Sequence, residues 1–236
     1  MIIDIFQDAL FQELKQYNKD IIEACKDIKF KENQWWFNPA RYREYFMFVK
    51  DRGIVNGINK LQDSEKYNLI LHPANYLAIF LINRLYSQDK HILIEDICCG
   101  MGNLVFYLAK CGYNFFSLVD DFSQVPKNYT VNLLSSLDIK YISNKPAELY
   151  GRTVFEKTNP IVVNMVGYHT YPKQSNGIYD FSNKTELVCL DADDKLFNSF
   201  GQYLLHSGFV VLCEDFNNIS MAFCKRELYN EFITKI

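Results

Sequence analysis

The chain has 236 residues, of which 49% are hydrophobic and 16% aromatic, and its formal net charge is -3. A chain of this length and composition can bury one large globular core, which excludes a disordered protein. The slightly negative charge gives no general attraction to nucleic acid or to an anionic membrane, so composition argues against both as partners.

The seven cysteines are scattered along the chain and form no C-x-x-C pair. Most lie in apolar runs such as VVLCED and MAFCKR, which is typical of small buried side chains in a reducing compartment. The N-terminus has acids early and no basic region before an apolar block, so it does not resemble a signal peptide. The most apolar stretch, YLAIFLINRLY, is too short to span a membrane. We therefore expect a soluble, cytoplasmic protein.

The first part of the chain has the pattern of helices. Ile2 and Ile3 open an apolar stripe with three-to-four spacing, and a later apolar helix begins near Pro73. No strand pattern interrupts this part. We predict a helical N-terminal cap over residues 1–88, packed on a core domain formed by residues 89–236.

The pattern changes after residue 88, where short apolar runs rich in Ile, Val, Phe and Leu follow one another. Several runs lack polar alternation, which is typical of strands buried on both faces of a sheet. Helices fit between them at 102–111, roughly 126–137 and 193–206. This alternation predicts an α/β fold with a doubly wound, mostly parallel sheet of seven strands. The strand runs are 91–97, 114–120, 138–143, 160–166, 186–191, 208–214 and 220–226.

A glycine turn follows the first strand run in ILIEDICCGMGNL, residues 92–104. Asp96 comes at the carboxyl end of the run, where open α/β sheets bind their ligands. Gly100 and Gly102 permit positive φ and lack the β-carbons that would keep a ligand off the backbone. The amides of the following helix point at the same place. A plain strand-to-helix connection would use the same glycines, so the turn alone leaves both interpretations open.

Two acids favour the ligand-binding interpretation. Asp120 and Asp121 follow Gly102 by eighteen and nineteen residues and end the second strand run, where acids bind ribose hydroxyls. They could instead simply open a loop. Val105 stands where a dinucleotide fingerprint has a small residue, and no phosphate-cradling lysine follows the turn. A nucleoside with an amino group and a sulfonium therefore fits better than a nicotinamide dinucleotide.

EDICCGMG resembles the first motif of the class I S-adenosylmethionine-dependent methyltransferases, whose fold is Rossmann-like. The resemblance covers roughly residues 88–226. Asp96, Gly100 and Gly102 match the motif, while Cys98 stands where the family usually has its first glycine. The resemblance implies S-adenosylmethionine as cofactor, with Asp96 and the turn from Cys98 to Gly102 at its methionine end.

The same resemblance implies roles at the later strands. Asp120 or Asp121 would bind the ribose, Asn144 would contact the adenine, and Asn164 would lie where the fourth strand faces cofactor and substrate. The chain departs from the family after that strand, because a long insertion and an extra strand-like run, ELVCLD, precede the next helix. Either the sheet has an additional strand or this region is remodelled for a substrate.

Methyl transfer from a sulfonium depends mainly on holding the acceptor atom near the methyl group in a dry site. His169, just past the fourth strand run, is the candidate general base for an alcohol or phenol; a histidine held in a turn is the alternative. Tyr168 and Tyr171 are candidate substrate contacts. Trp36, in QWWFNPARYREYF, could belong to a lid over the substrate or anchor a helix on the sheet.

We therefore predict a methyltransferase acting on a small molecule, with oxygen favoured as the methylated atom because of His169. Methylation of nucleic acid or protein is an alternative, weakened for base amino groups because NMVGY replaces an N-P-P-Y motif. A non-catalytic methyltransferase-like subunit is another, favoured by Cys98. Asn75 and Tyr76 suit either a lid or the core. The acids of LDADDK suit a helix start, and no metal site is predicted. Oligomeric state is left open.

Overall fold

The computed structural model describes residues 1–3, 75–97, 99, 102–120, 134, 137–146, 159–165, 182–191, 200–215 and 220–236. Within them the helices are α1 Asn75–Leu85, α2 Asn103–Lys110, α3 Gln202–His206 and α4 Tyr229–Lys235, and a 3₁₀ turn, Arg226–Leu228, precedes α4. The strands are β1 Ile2–Ile3, β2 Ile94–Ile97, β3 Phe115–Asp120, β4 Tyr141–Pro146, β5 Val162–Met165, β6 Leu187–Asp191, β7 Phe209–Asp215 and β8 Ser220–Lys225.

These strands form one sheet in the order β1-β7-β8-β6-β5-β2-β3-β4. From β4 through β3, β2 and β5 to β6, every neighbouring pair is parallel. β8 is antiparallel to both of its neighbours, β6 and β7. The chain winds outward from β2 in one direction to β3 and β4, and in the other to β5 and β6. This order is doubly wound and mostly parallel, as predicted. The fold is Rossmann-like.

The seven predicted strand runs correspond to β2–β8, with shifts at their ends. The third run was placed at residues 138–143, whereas β4 is Tyr141–Pro146, so Asn144 lies within the strand and not in the loop after it. The run ELVCLD forms β6, which pairs in parallel with β5. It is therefore the next core strand of the sheet, and β7 and β8 complete the sheet beyond it.

The helical prediction is wrong for Ile2 and Ile3, which form the edge strand β1. These two residues pair in parallel with Glu214 and Asp215 of β7, and Glu214 N–H donates to Met1 O at 2.9 Å. Main-chain pairing along an open sheet edge satisfies backbone groups that a frayed helix end leaves to water. Two residues are too few to show the alternation of a strand. Ile2 and Ile3 also fit the apolar stripe of a helix, so the sequence favoured the helix.

Alternating strand residues divide the core between the two faces of the sheet. On the face here called the α1 face, Ile94, Leu118 and Val162 share one apolar cluster with α1, α2 and α4. On the opposite face, called the α3 face, strand residues such as Ile97 and Val163 pack with Leu204 of α3. Eight of the eleven residues of α1 are buried. A helix that is apolar on nearly all sides belongs inside a core, and α1 is the helix of the predicted cap that the structure describes.

The cysteines of the last three strands are small core side chains, as predicted. Cys189, Cys213 and Cys224 are fully buried and are not joined in disulfides. Cys189 and Cys213 are both register partners of Ala222, so strand β8 stands between them. Burial raises the pKa of the Cys189 thiol well above its ordinary value and raises that of Cys224 to about 11. The thiols of Cys189 and Cys224 are therefore protonated and unreactive at neutral pH.

No helix in the described part of the chain is long and apolar enough to cross a membrane.

Candidate active site at the carboxyl edge of the sheet

The turn between β2 and α2 is held by backbone hydrogen bonds and a left-handed glycine. Cys99 N–H donates to Val119 O of β3 at 3.3 Å, and Gly102 N–H donates to Cys99 O at 2.8 Å. Gly102 has φ 85° and ψ 26°, and its carbonyl accepts the first helical bond of α2 from Phe106 N–H at 2.9 Å. The predicted positive φ is therefore confirmed at Gly102, where a side chain would strain the backbone.

Helix α2 packs on the sheet through full-sized side chains. Val105, the residue that argues against a dinucleotide fingerprint, is completely buried and lies in the α1-face cluster with Ile94. A fingerprint glycine or alanine at this position would bring helix and strand closer together. In this chain a branched side chain of the apolar core occupies the position.

Three polar side chains meet where β2 and β5 end, and we call them the Asp96 cluster: Asp96, Asn164 and Asn75. Asn164 Nδ2 donates to Asp96 Oδ1 at 2.8 Å and to Asn75 Oδ1 at 3.0 Å. Asp96 and Asn164 are register partners in parallel strands, so both side chains project from the α1 face of the sheet. Asn75 is the first residue of α1 and reaches the pair from the helix. The side chains come together because β2 and β5 are adjacent at the point where the sheet winds both ways.

The carboxylate of Asp96 fixes the orientation of the Asn164 amide. Turning the amide over would place Asn164 Oδ1 against the oxygens of Asp96 and Asn75, with acceptors facing acceptors. In the observed orientation Asn164 Oδ1 is buried and has no hydrogen-bond donor in the described part of the chain. An unpaired buried acceptor costs about 1–3 kcal/mol. It is therefore a place where a ligand with an N–H donor would be stabilised.

A second buried polar pair lies on the other face of the same strand. Ser117 Oγ donates to Glu95 Oε1 at 2.7 Å, and both residues are completely buried. They are register partners in β2 and β3. Because side chains alternate along a strand, Glu95 faces away from the Asp96 cluster. The two acids in IEDI therefore belong to two different environments, and only Asp96 belongs to the candidate site.

The other predicted cofactor residues fall partly within the described chain. Asp120 ends β3, and Asn144 lies in β4 on the register row that runs through Leu118 to Asp96 and Asn164. The backbones of these residues thus reach the same region of the sheet, and the side chains of Asp120 and Asn144 lie outside the described part. The remaining predicted site residues are also outside the described residues: Cys98, Gly100, Asp121, His169, Trp36, Tyr168 and Tyr171.

The sequence did not single out Asn75 as a site residue. Of the two residues considered for a lid or for the core, Tyr76 is buried in the α1-face cluster, whereas Asn75 hydrogen-bonds Asn164. Asn75 could have been identified from the position of its helix, which precedes the first core strand in the chain. A helix that precedes the first strand of a parallel sheet brings its N-terminus to the carboxyl edge when it packs antiparallel to the strands, and a polar first residue then faces the site.

A cleft of about 410 Å³ lies at the opposite, amino edge of the sheet, between the ends of α1 and α4 and the starts of β2, β5 and β6. Concavity alone would place a ligand there. Four of its polar side chains form two pairs, however: Tyr86 Oη donates to Glu186 Oε2 at 3.2 Å, and Lys235 Nζ lies 2.6 Å from Glu231 Oε1. The glycine turn and the Asp96 cluster lie at the other edge, so we place the candidate site there.

No protein-family model and no curated protein matches the sequence. Among solved structures, the chain is similar to a precorrin-6y C5,15-methyltransferase from Geobacter metallireducens, with 13% identity over 56% of this chain and 70% of the other and a TM-score of 0.44. It is also similar to a ribosomal protein L11 methylase from Lactobacillus delbrueckii subsp. bulgaricus, with 17% identity over 66% and 79% of the two chains and a TM-score of 0.44. The methyltransferase domain of bacterial CtHen1-C shares 13% identity over 64% and 98%, with a TM-score of 0.46. At these identities the likeness concerns the fold alone.

Proposed function

We propose that the chain is a class I S-adenosylmethionine-dependent methyltransferase that binds the methionine end of its cofactor between the ends of β2 and β5. The observation that carries the proposal is the Asp96 cluster beside the left-handed Gly102, at the point where the sheet winds both ways. Ligands of open α/β sheets bind at this point. The motif resemblance implies the same end of the cofactor for Asp96 and the turn from Cys98 to Gly102.

The chemistry of the described residues fits that group. Asp96 is a buried carboxylate and Asn164 offers a buried acceptor oxygen, and both suit the ammonium of the methionine end. Gly102 has no β-carbon to obstruct a ligand at the start of α2, whose first amides suit the methionine carboxylate. When bound, S-adenosylmethionine would supply a methyl group on a sulfonium. Asp120 or Asp121 would hold the ribose, and Asn144 the adenine.

The methyl acceptor in this proposal is a small molecule, because the chain has no basic excess that would hold a polyanion. His169 would act as the base for an oxygen acceptor, and Tyr168, Tyr171 and Trp36 would contact the substrate. These four roles follow from the sequence pattern and lie outside the described residues.

Calorimetric titration with S-adenosylmethionine and S-adenosylhomocysteine, with NAD and ATP as controls, tests the cofactor assignment. We expect micromolar binding of the two sulfur nucleosides only. Asp96→Asn keeps an acceptor for Asn164 but removes the charge, and should weaken binding at least tenfold. Asp120→Ala should weaken it as well, through loss of the ribose contact.

Gly102→Ala and Gly112→Ala form a matched pair for the turn. Both glycines have positive φ, 85° and 94°, and they lie at opposite ends of α2. Gly102→Ala should impair nucleoside binding and Gly112→Ala should not. A well-folded wild-type protein that binds neither sulfur nucleoside would overturn the proposal. If binding is found, small alcohols and phenols, RNA and protein would each be offered as acceptors with radiolabelled cofactor.

A further inference from the structure

We propose that Asn75 is a positioning residue. Together with Asp96 it takes up both hydrogens of the Asn164 amide, so that Asn164 presents its oxygen, and not its nitrogen, to the ammonium of the bound cofactor. This inference rests on the proposed function, because it takes the methionine end of the nucleoside as the ligand at this edge.

The hydrogen-bond geometry of the amide leads to this inference. A primary amide has two N–H hydrogens, and Asn164 Nδ2 has two oxygen acceptors within bonding distance, at 2.8 and 3.0 Å. With Asp96 alone, one hydrogen would stay available to a ligand and the amide plane could turn, since this terminal torsion has a broad minimum. Asn75 occupies the second hydrogen and holds the plane. The amide is then left with only an acceptor to offer.

The position of Asn75 suits this role. It begins α1, whose following residues are buried in the core, so the helix is a firm support for its first side chain. Asp96 and Asn164 belong to the sheet, whereas Asn75 approaches from another layer of the fold. A site residue that is held from two different elements keeps its geometry better than one that is held from a single strand.

An acceptor oxygen in this place selects for a ligand that brings an N–H donor. A hydrogen bond from an ammonium to this oxygen would be charge-assisted and would satisfy the buried Asn164 Oδ1. The proposal therefore predicts that the α-amino group of S-adenosylhomocysteine contributes to affinity through Asn164, and that Asn75 is required for that contribution.

The test compares S-adenosylhomocysteine with 5′-S-(3-carboxypropyl)-5′-thioadenosine, which lacks only the α-amino group. Calorimetry gives a Kd for each, and their ratio measures the contribution of the amine. We expect wild type to bind S-adenosylhomocysteine at least tenfold more tightly. Asn164→Leu and Asn75→Leu should each lower the ratio at least threefold. A lost hydrogen bond to the amine lowers this ratio, whatever either variant does to the affinity for the carboxypropyl compound alone.

Two further variants separate positioning from a purely structural effect. Asn75→Asp keeps an acceptor oxygen for Asn164 at a helix N-terminus that favours acids, so it should retain the ratio. Asn83 lies near the other end of α1 and donates to Ile79 O, and Asn83→Leu is the matched control that should leave the ratio unchanged. Thermal unfolding establishes that each variant is folded.

Four results would overturn the inference. A wild-type ratio near one, with S-adenosylhomocysteine still bound, would remove the amine contact and leave the proposed function standing. An unchanged ratio in folded Asn75→Leu would show that Asp96 alone fixes the orientation of the Asn164 amide. Equal losses in Asn75→Leu and Asn75→Asp would assign Asn75 a structural role. Failure of folded wild type to bind either compound would overturn the proposed function itself, and the inference with it.

Discussion

Glu95 and Asp96 are consecutive in the chain, and their buried carboxylates accept hydrogen bonds on opposite faces of the sheet. Glu95 accepts from Ser117, its register partner in β3, and Asp96 accepts from Asn164, its register partner in β5. Alternation along β2 therefore puts Glu95 in a pair with Ser117 on the α3 face and Asp96 in the Asp96 cluster on the α1 face. Mutations in the two pairs should separate stability from binding.

Ser117→Ala should lower the free energy of unfolding by about 1–3 kcal/mol, because the buried Glu95 carboxylate loses a donor. It should leave nucleoside affinity unchanged, since Ser117 lies on the other face from the Asp96 cluster. Urea denaturation measures the first quantity and calorimetry the second. Ser207, at the exposed end of α3, provides the control Ser207→Ala, which should change neither quantity. A large loss of affinity in Ser117→Ala would contradict the division between the two faces.

Gly102→Ala and Gly112→Ala should each destabilise the protein by about 1–2 kcal/mol, since both place a β-carbon in the left-handed region. At Gly112 a β-carbon would meet no atom within 4 Å, so backbone strain is the whole cost there. Gly112→Asn should recover part of it, because asparagine tolerates this conformation. Thermal melts of the three variants measure these differences. Equal stability of Gly112→Ala and wild type would refute the strain argument.

The stability of the protein should fall as pH rises from about 9 toward 11. Burial raises the pKa of Cys224 from 9.0 to about 11, so the folded state holds this proton more tightly than the unfolded state. The stabilisation is complete below the unfolded value and is lost as pH approaches the folded one, at about 1.4 kcal/mol per pH unit for one group. Burial also raises the pKa values of Cys189, Tyr86 and Tyr113, which act in the same direction. Cys224→Ala should flatten the profile measured by urea denaturation between pH 8.5 and 11. If the unfolding free energy of Cys224→Ala fell with pH as steeply as that of wild type, Cys224 would not be a cause of the pH dependence.

Tyr113→Phe should lower the free energy of unfolding, measured by urea denaturation, by about 1 kcal/mol. The hydroxyl of Tyr113 donates to Ile82 O at 2.7 Å and ties the segment after α2 to the buried helix α1. The ring remains in place, so packing is unchanged. Tyr229→Phe is the control, because the hydroxyl of Tyr229 makes no hydrogen bond to a described residue. A comparable loss in Tyr229→Phe would mean that the Tyr113 hydrogen bond is not the cause.

The sequence predicted those parts of the fold that have a local signal. Apolar runs such as PIVVNMV produced the core strands, and the glycine turn correctly marked a left-handed residue at Gly102. Ile2 and Ile3 were misassigned, because a two-residue strand is defined only by its partner in β7. β6 was considered an additional strand for a related reason. Its place beside β5 depends on strand pairing, which the pattern of apolar residues does not reveal.

The candidate site was predictable to the extent that it follows strand ends. Asp96 was identified near the carboxyl end of an apolar run, and Asn164 through the resemblance of its run to a family motif. In the structure Asn164 Nδ2 lies 2.8 Å from Asp96 Oδ1. Asn75 was not identified as a partner, since it is 89 positions from Asn164 and the contact depends on how α1 docks. Glu95 and Ser117 were also missed, although strict alternation allows only one of two consecutive acids to face a ligand. Long-range contacts of this kind have no signature within a short sequence window.

The antiparallel pair of β7 and β8 has a consequence for the order of folding. Only residues 216–219 separate these strands, so their pairing closes a short loop, whereas Asp96 and Asn164 lie 68 positions apart on parallel strands. Hairpins form within about 1–10 μs, and parallel pairing between distant segments is intrinsically slower. β8 also lies between β6 and β7, so the hairpin joins the parallel part of the sheet through the pairing of β8 with β6. The pairing of β2 with β5, at the proposed nucleoside site, would then be the last to form. In pulse-labelled hydrogen exchange, amides of β7 and β8 should gain protection before those of β2 and β5, and ligand affinity should appear only with the second group.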